Sequence, residues 1–310
     1  MLPYYALFVG ALLLEMLVID PPEDDADTAT PDPVDTTPGP VHPLYDPQQY
    51  DAVMQGSEGA DSFGFENEDL IDRAFLLLGG NDSVVAGGGN DYMDGGAGDD
   101  LLNGRVGGDL MLGGLGDDTL LGGEGTDRLL GGAGDDRVTG GGGADLVEGS
   151  DGADVIDGGS GADSLAGGAG DDWIAGHALD SAVDGGTVDQ MLGGAGDDHL
   201  LIGGNDLVNG GDGADQMIVD LHQGIDGGPA TISDYDPGTG DRIEFYVTPG
   251  TDPQTGAPVL PSVSAAMNEA GTATLVSLDG VHMLTIEGAA QIDASAIHVI
   301  TELPEPFAAR

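Results

Sequence analysis

Aspartate returns at every ninth residue between Leu77 and Ala175, at Asp82, Asp91, Asp100, Asp109, Asp118, Asp127, Asp136, Asp145, Asp154, Asp163 and Asp172. Carboxylates set at a fixed interval can gather hard cations or, in pairs, act as general acid and base. Two further columns keep the same period of nine. With Leu77 opening the first unit, the fourth place is always Gly, from Gly80 and Gly89 to Gly161 and Gly170, and the eighth is always aliphatic or Met, from Val84 and Met93 to Leu165 and Ile174. The pattern continues outside this block with faults. Asp61 fits in GSEGADSFG, Asp198 in GGAGDDHLL, Asp206 in GGNDLV and Asp215 in GGDGADQMI, whereas Asp180 and Asp189 fit only if one unit has lost a residue. The array is expected to run from Gly56 to Val219.

Composition narrows the chemistry. The chain has 310 residues, 57 acidic side chains against six basic ones, and a formal charge of −51, so nucleic acid and anionic lipid headgroups are excluded as partners and cations are expected. No Cys is present, which removes thiol chemistry and Cys-ligated metals. The sequence carries no H-E-x-x-H, G-x-S-x-G or Walker loop, and the paired carboxylates belong almost entirely to the repeat, so no enzyme activity is expected. His177, His199 and His222 fall in irregular parts of the array, where packing or surface roles are expected rather than metal ligation. Trp173, one place before an inward residue, is expected to face outward.

The elements that position the carboxylates follow from the glycines. Gly in four of the first six places permits positive φ and close backbone approach, so the unit reads as a six-residue turn followed by three strand residues. Side chains alternate along a strand, which turns the eighth residue inward and the seventh and ninth outward. Two units make a coil of 18 residues, and stacked coils make two parallel sheets around a thin apolar core, with an Asp column along each edge. The fold class is thus all-β. Leu112, Leu121 and Leu130, in ninth places, are expected on the outer face, either as a docking surface or as partly covered apolar residues. Stacked carboxylates repel, so the array needs positive charge between its coils, and carboxylate plus turn carbonyls are donors that calcium prefers.

Units such as GGLGDDTLL (113–121), GGAGDDRVT (131–139) and GGSGADSLA (158–166) closely resemble the hemolysin-type or RTX nonapeptide G-G-x-G-x-D-x-U-x, a calcium-binding β-helix repeat, and the resemblance covers about half of the chain. It implies a right-handed parallel β-roll with multiple calcium ions. Each ion is held between turns one coil apart by sixth-position carboxylates, so Asp82 pairs with Asp100, Asp91 with Asp109 and so on, giving roughly nine ions from the regular block. Asp198, Asp206 and Asp215 extend the ligand set. Backbone carbonyls complete it, with Gly95, Gly96, Gly98, Gly113, Gly114, Gly116, Gly131, Gly132 and Gly134 as the representative turn residues. Arg105 and Ser150 depart from the pattern at second positions, and fifth-position Asp99, Asp117, Asp135, Asp171 and Asp197 are expected to face solvent or brace the turn.

The flanks differ in composition. Residues 1–20 hold an apolar run from Pro3 to Ile19, read as a helix that is a membrane anchor, an atypical signal peptide or a partner-binding element; membrane association would go through residues 3–19. Residues 21–50 form an acidic, Pro- and Thr-rich linker expected to stay extended. Residues 220–310 show period-two alternation with the turns DPGTG and LDG and are expected to form a β-rich cap, resembling the C-terminal regions of repeat proteins exported by type I secretion machinery. DYDPGTGDRIEF (234–245) lacks the Gly and Glu of an EF-hand loop. The resemblance places the protein outside the cell or on its surface. Two functions are carried forward: a calcium-folded structural roll, and a calcium-stabilised adhesion or matrix module whose C-terminal segment binds a partner.

Overall fold

The computed structural model describes residues 46–65, 70–177, 187–221, 227–255, 257–288 and 292–305. The apolar run at 3–19, the linker up to residue 45, Asp180 and His222 lie outside the described residues. The unit from His42 to Arg310 is built on two long sheets, one of thirteen strands and one of eleven.

Successive strands alternate between the sheets, because each nine-residue unit turns once and returns on the opposite side. Tyr92–Ala97, Leu110–Leu115 and Arg128–Ala133 are neighbours in one sheet; Leu101–Val106, Thr119–Gly125 and Arg137–Gly143 are neighbours in the other. All these pairs are parallel. Their register is one coil: Leu102 stands opposite Leu120 and Leu120 opposite Val138, while on the other side Met93 stands opposite Met111 and Met111 opposite Leu129. Eighth-position side chains therefore stack along the axis and meet their counterparts from the facing sheet. Val84, Met93, Leu102, Met111, Leu120, Leu129, Val138 and Val147 have no exposed surface. Burying each aliphatic chain contributes about 1.5–3 kcal/mol.

Two expectations need correction. The strands between Ser83 and Ala169 have six or seven residues rather than three, because the second and third places of the next unit also pair: Gly96 with Gly114 and Ala97 with Leu115. The turn shrinks to the fourth, fifth and sixth places. Positive φ is needed at the second and fourth positions, as at Gly96 (φ 91°) and Gly98 (φ 127°), to bend the backbone without breaking the ladder. Arg105 and Ser150 adopt the same left-handed conformation at φ 76° and 88°, so the sequence fault does not become a structural one. The ninth-position leucines are also less exposed than expected: Leu112 and Leu130 are buried, at 8% and 7% exposure. They stand directly opposite one another on adjacent strands, and at strand spacing two leucines cover each other.

After Asp172 the coils change length, and the sheets continue. Asp163 and Asp189, 26 residues apart, occupy neighbouring rungs, whereas Asp189 and Asp206 are 17 apart. The strands keep their register across this change: Leu165 stands opposite Met191 and Ile174 opposite Leu200. Parallel pairing goes on beyond Val219: Arg242–Tyr246 lies between Gln216–Asp220 and Ile297–Ile300, and Ala230–Ile232 between Leu207–Asp212 and Val281–Glu287. An antiparallel meander, Val263–Met267, Ala273–Leu278 and Val281–Glu287, then closes one edge. Phe63, Phe65 and Phe75 pack at the opposite end, with ring centroids 5.8 and 6.0 Å apart. Among the described residues no helix is long and apolar enough to cross a membrane.

Candidate metal centre

The sixth-position aspartates are buried, none more than 3% exposed. Each is fixed by its neighbour one coil away. The Asp82 N–H donates to Asp100 Oδ1 at 2.7 Å, Asp100 N–H to Asp118 Oδ1 at 2.7 Å, and Asp118 N–H to Asp136 Oδ1 at 2.8 Å; the other edge repeats this from Asp91 to Asp109 and Asp109 to Asp127, both at 2.8 Å. The carbonyls are used as well. Asp82 O accepts from Leu101 N–H at 2.9 Å and Asp100 O from Thr119 N–H at 2.8 Å. One carboxylate oxygen and the main chain are thereby consumed by the stack.

The second carboxylate oxygen is not. Oδ2 of Asp82, Asp100, Asp109, Asp118, Asp127, Asp136, Asp145, Asp154, Asp172, Asp198 and Asp215 is buried without a hydrogen-bond partner. A buried acceptor left unpaired costs about 1–3 kcal/mol, and more when it carries charge. Desolvation pushes the carboxyls up, and the like charges one coil away add to it, against the lowering effect of the N–H donor: Asp109, Asp118, Asp136 and Asp198 titrate at about 7 and Asp172 at about 8. Asp100, Asp145, Asp154 and Asp215 titrate at about 6. Such oxygens need a cation.

The glycines admit that arrangement. A Cβ at Gly95, Gly113 or Gly131 would meet Oδ2 of Asp100, Asp118 or Asp136 together with the carbonyl oxygen of Gly113, Gly131 or Gly149 one coil on. At Gly96, Gly114 and Gly132 it would meet the carbonyls of Leu78, Gly96 and Gly114, and at Gly98, Gly116 and Gly134 those of Gly80, Gly98 and Gly116. At the first, second and fourth positions the missing Cβ thus lets a carbonyl of a neighbouring coil approach closely, and at the first it does so beside the carboxylate. Among the described residues no group of three or more His, Cys, Asp or Glu side chains comes together, so the oxygen set is one of carboxylates from adjacent coils plus main-chain carbonyls. It is a hard, all-oxygen set and fits calcium.

Asp198, Asp206 and Asp215 join the same columns; Asp189 N–H donates to Asp206 Oδ1 at 3.1 Å and Asp198 N–H to Asp215 Oδ1 at 3.0 Å. Asp206 differs in one respect: its Oδ2 accepts from Gly203 N–H at 2.6 Å. Asp189 and Asp241 also stand in the columns, accepting from Asp163 N–H at 2.9 Å and Asp215 N–H at 3.1 Å, although neither was in the ligand set drawn from sequence. Both carried a readable signal. Asp189-Gln190-Met191 repeats Asp215-Gln216-Met217, and Asp241-Arg242-Ile243 matches Asp136-Arg137-Val138 in type. Fifth-position Asp99, Asp117, Asp135, Asp171 and Asp197 are exposed, and each accepts a main-chain N–H from the following coil. His177 and His199 lie off the columns. His199 stacks on Trp173 with ring centroids 3.8 Å apart and is pushed down by burial; His177 Nε2 is 3.3 Å from Asp220 Oδ2.

A parallel solenoid whose edges are columns of buried carboxylate defines a class: repeat proteins cross-braced by cations. The family model described as RTX calcium-binding nonapeptide repeat matches in four copies, at residues 78–111, 112–147, 148–178 and 203–220. The array is therefore built of hemolysin-type RTX repeats, which bind calcium at multiple sites, and the β-roll is their structural form. No curated protein matches the chain. The matched segments leave out 179–202, where Asp189 and Asp198 nevertheless keep their places in the columns.

Proposed function

We propose that the protein is a non-enzymatic structural roll, secreted or held at the cell surface, for which calcium is the folding signal. One observation carries the reading: eleven buried Asp Oδ2 atoms, stacked at one-coil intervals, with no hydrogen-bond partner. Bound calcium supplies the positive charge that these oxygens lack. The chain's own residues do the rest: Asp Oδ1 fixes the coil below, the glycines keep Cβ atoms out of the gap, and the eighth-position aliphatics hold the sheets together. With so much glycine to order and so thin a core, the metal-free chain is expected to unfold at neutral pH.

Extracellular calcium is near millimolar and cytosolic calcium far lower, so a chain of this kind suits export unfolded and folding outside, as in the RTX proteins exported by type I machinery that it resembles. The column carboxylates are committed to neighbouring coils, which supports the non-enzymatic part of the reading. Circular dichroism of the full chain in chelator, followed by calcium titration, tests the proposal. A disordered spectrum that converts cooperatively to β near millimolar calcium is expected; a β spectrum already complete in chelator overturns it.

A further inference from the structure

We propose that both carboxylate columns are terminated at their ends by groups the chain itself supplies, so that the end rungs close without metal and only interior rungs take ions. The inference rests on the calcium reading above and sets its limits. At four end positions the chain itself supplies such a group, whereas Oδ2 of the eleven aspartates named above has no hydrogen-bond partner.

At the start of one edge, Asp61 stands in line with Asp82, its N–H donating to Asp82 Oδ1 at 2.6 Å. Its Oδ2, unlike that of Asp82, is satisfied: Ser57 N–H donates at 2.6 Å and Ser57 Oγ at 3.0 Å. The same edge ends at Asp241, where Oδ2 accepts from Asp236 N–H at 2.7 Å and Oδ1 from Thr239 Oγ1 at 3.0 Å. The second edge ends at Asp206, whose Oδ2 takes Gly203 N–H at 2.6 Å; the residue in line on the next coil, Ala230, brings no carboxylate.

The start of the second edge is the most telling. Arg73 stands where the repeat would place Asp: its N–H donates to Asp91 Oδ1 at 2.7 Å, as Asp82 N–H does to Asp100 Oδ1, and the following Ala74 pairs with Tyr92. It is 3% exposed. Its guanidinium donates from Nη1 to Ala86 O at 3.2 Å and to Ile71 O at 3.1 Å and lies 4.1 Å over the Phe65 ring. Ala86 occupies a first position, and first-position carbonyls are those that face the carboxylate edge in the interior coils. Arg73 is thus a fixed cation set into the rung where an ion would otherwise bridge to Asp91. The physical need is clear. At an end no further coil offers a second carboxylate, an ion would have fewer anionic ligands and bind more weakly, and an empty rung would fray.

The test compares full-length wild type with Arg73→Asp and Arg73→Met, using native mass spectrometry for the calcium count and hydrogen exchange for Ala52–Gln55, Arg73–Leu76 and, as the interior reference, Thr119–Gly125. Arg73→Asp should gain about one ion per chain, and its end strands should become protected only at higher calcium than the interior. An unchanged count with wild-type protection of the end strands overturns the inference. Arg73→Met guards against misfolding of the first variant: at saturating calcium its end strands should exchange at least tenfold faster while the interior is unmoved, and equal protection overturns the inference. Wild type that binds no calcium overturns the calcium reading itself, which distinguishes the two failures.

Discussion

Asp135 and Asp136 are adjacent in sequence and opposite in circumstance. Asp136 is buried, accepts from the preceding coil, presents an unpaired Oδ2 to its edge and titrates at about 7; Asp135 is exposed, accepts from the following coil and stands in water. The same contrast separates Asp99 from Asp100, Asp117 from Asp118, Asp171 from Asp172 and Asp197 from Asp198. Residue type therefore does not make the ligand. What makes it is the second place after the fourth-position glycine, where the chain leaves the turn and sends the carboxylate to the preceding coil, beside the first-position glycine.

The comparison breaks most readily at the inner member. Asp136→Ala removes an oxygen from the gaps on both sides, and the calcium midpoint for folding should rise at least tenfold, with each factor of ten worth about 1.4 kcal/mol; Asp135→Ala should move it less than twofold. Calorimetric or fluorescence calcium titrations of both variants read the difference. The next largest effect concerns the space beside the carboxylate. A Cβ at Gly131 meets Asp136 Oδ2, whereas one at Gly142, a third position, has no neighbour nearer than 3.3 Å. Gly131→Ala should cost about 2–3 kcal/mol in thermal unfolding with calcium present, and Gly142→Ala less than about 0.5 kcal/mol.

Acidity sharpens the same contrast. The inner carboxyls are raised from 3.8 in the open chain to about 6 to 8 in the metal-free roll. A folded-state value above the unfolded one means that the fold binds protons more tightly. The resulting stability is fully present below about pH 4 and is lost as pH rises through about 6 to 8. In chelator the chain should gain β structure as pH falls from 8 to 5, while the calcium midpoint should rise over the same interval because protons compete for Oδ2. Circular dichroism at each pH checks both trends. The smallest effect lies at the second positions. Arg105→Gly and Ser150→Gly relieve left-handed backbone at φ 76° and 88° and should each raise stability by up to about 1 kcal/mol in thermal unfolding.

Much of this was legible in the sequence because the repeat obeys strict local rules. A carboxylate, a glycine and an aliphatic residue at fixed places in nine state the turn, the edge and the core at once. The pairing of the second and third positions was not legible, because Gly-x carries no strand propensity and its hydrogen bonds come from stacking alone. The 26-residue coils were hidden as well: the period of nine is lost in sequence, yet Asp189 falls into line with Asp163. Arg73 was invisible for a different reason. A column read by residue type omits the one rung where the opposite charge stands in the same place.

Residue-resolved hydrogen exchange of the Asp100, Asp118 and Asp136 amides, each of which donates to a carboxylate one coil on, tests the central claim most directly. The account predicts fast exchange in chelator at neutral pH and strong, simultaneous protection in millimolar calcium. Amides equally protected in chelator and in calcium would show that the columns close without the ion and would contradict it.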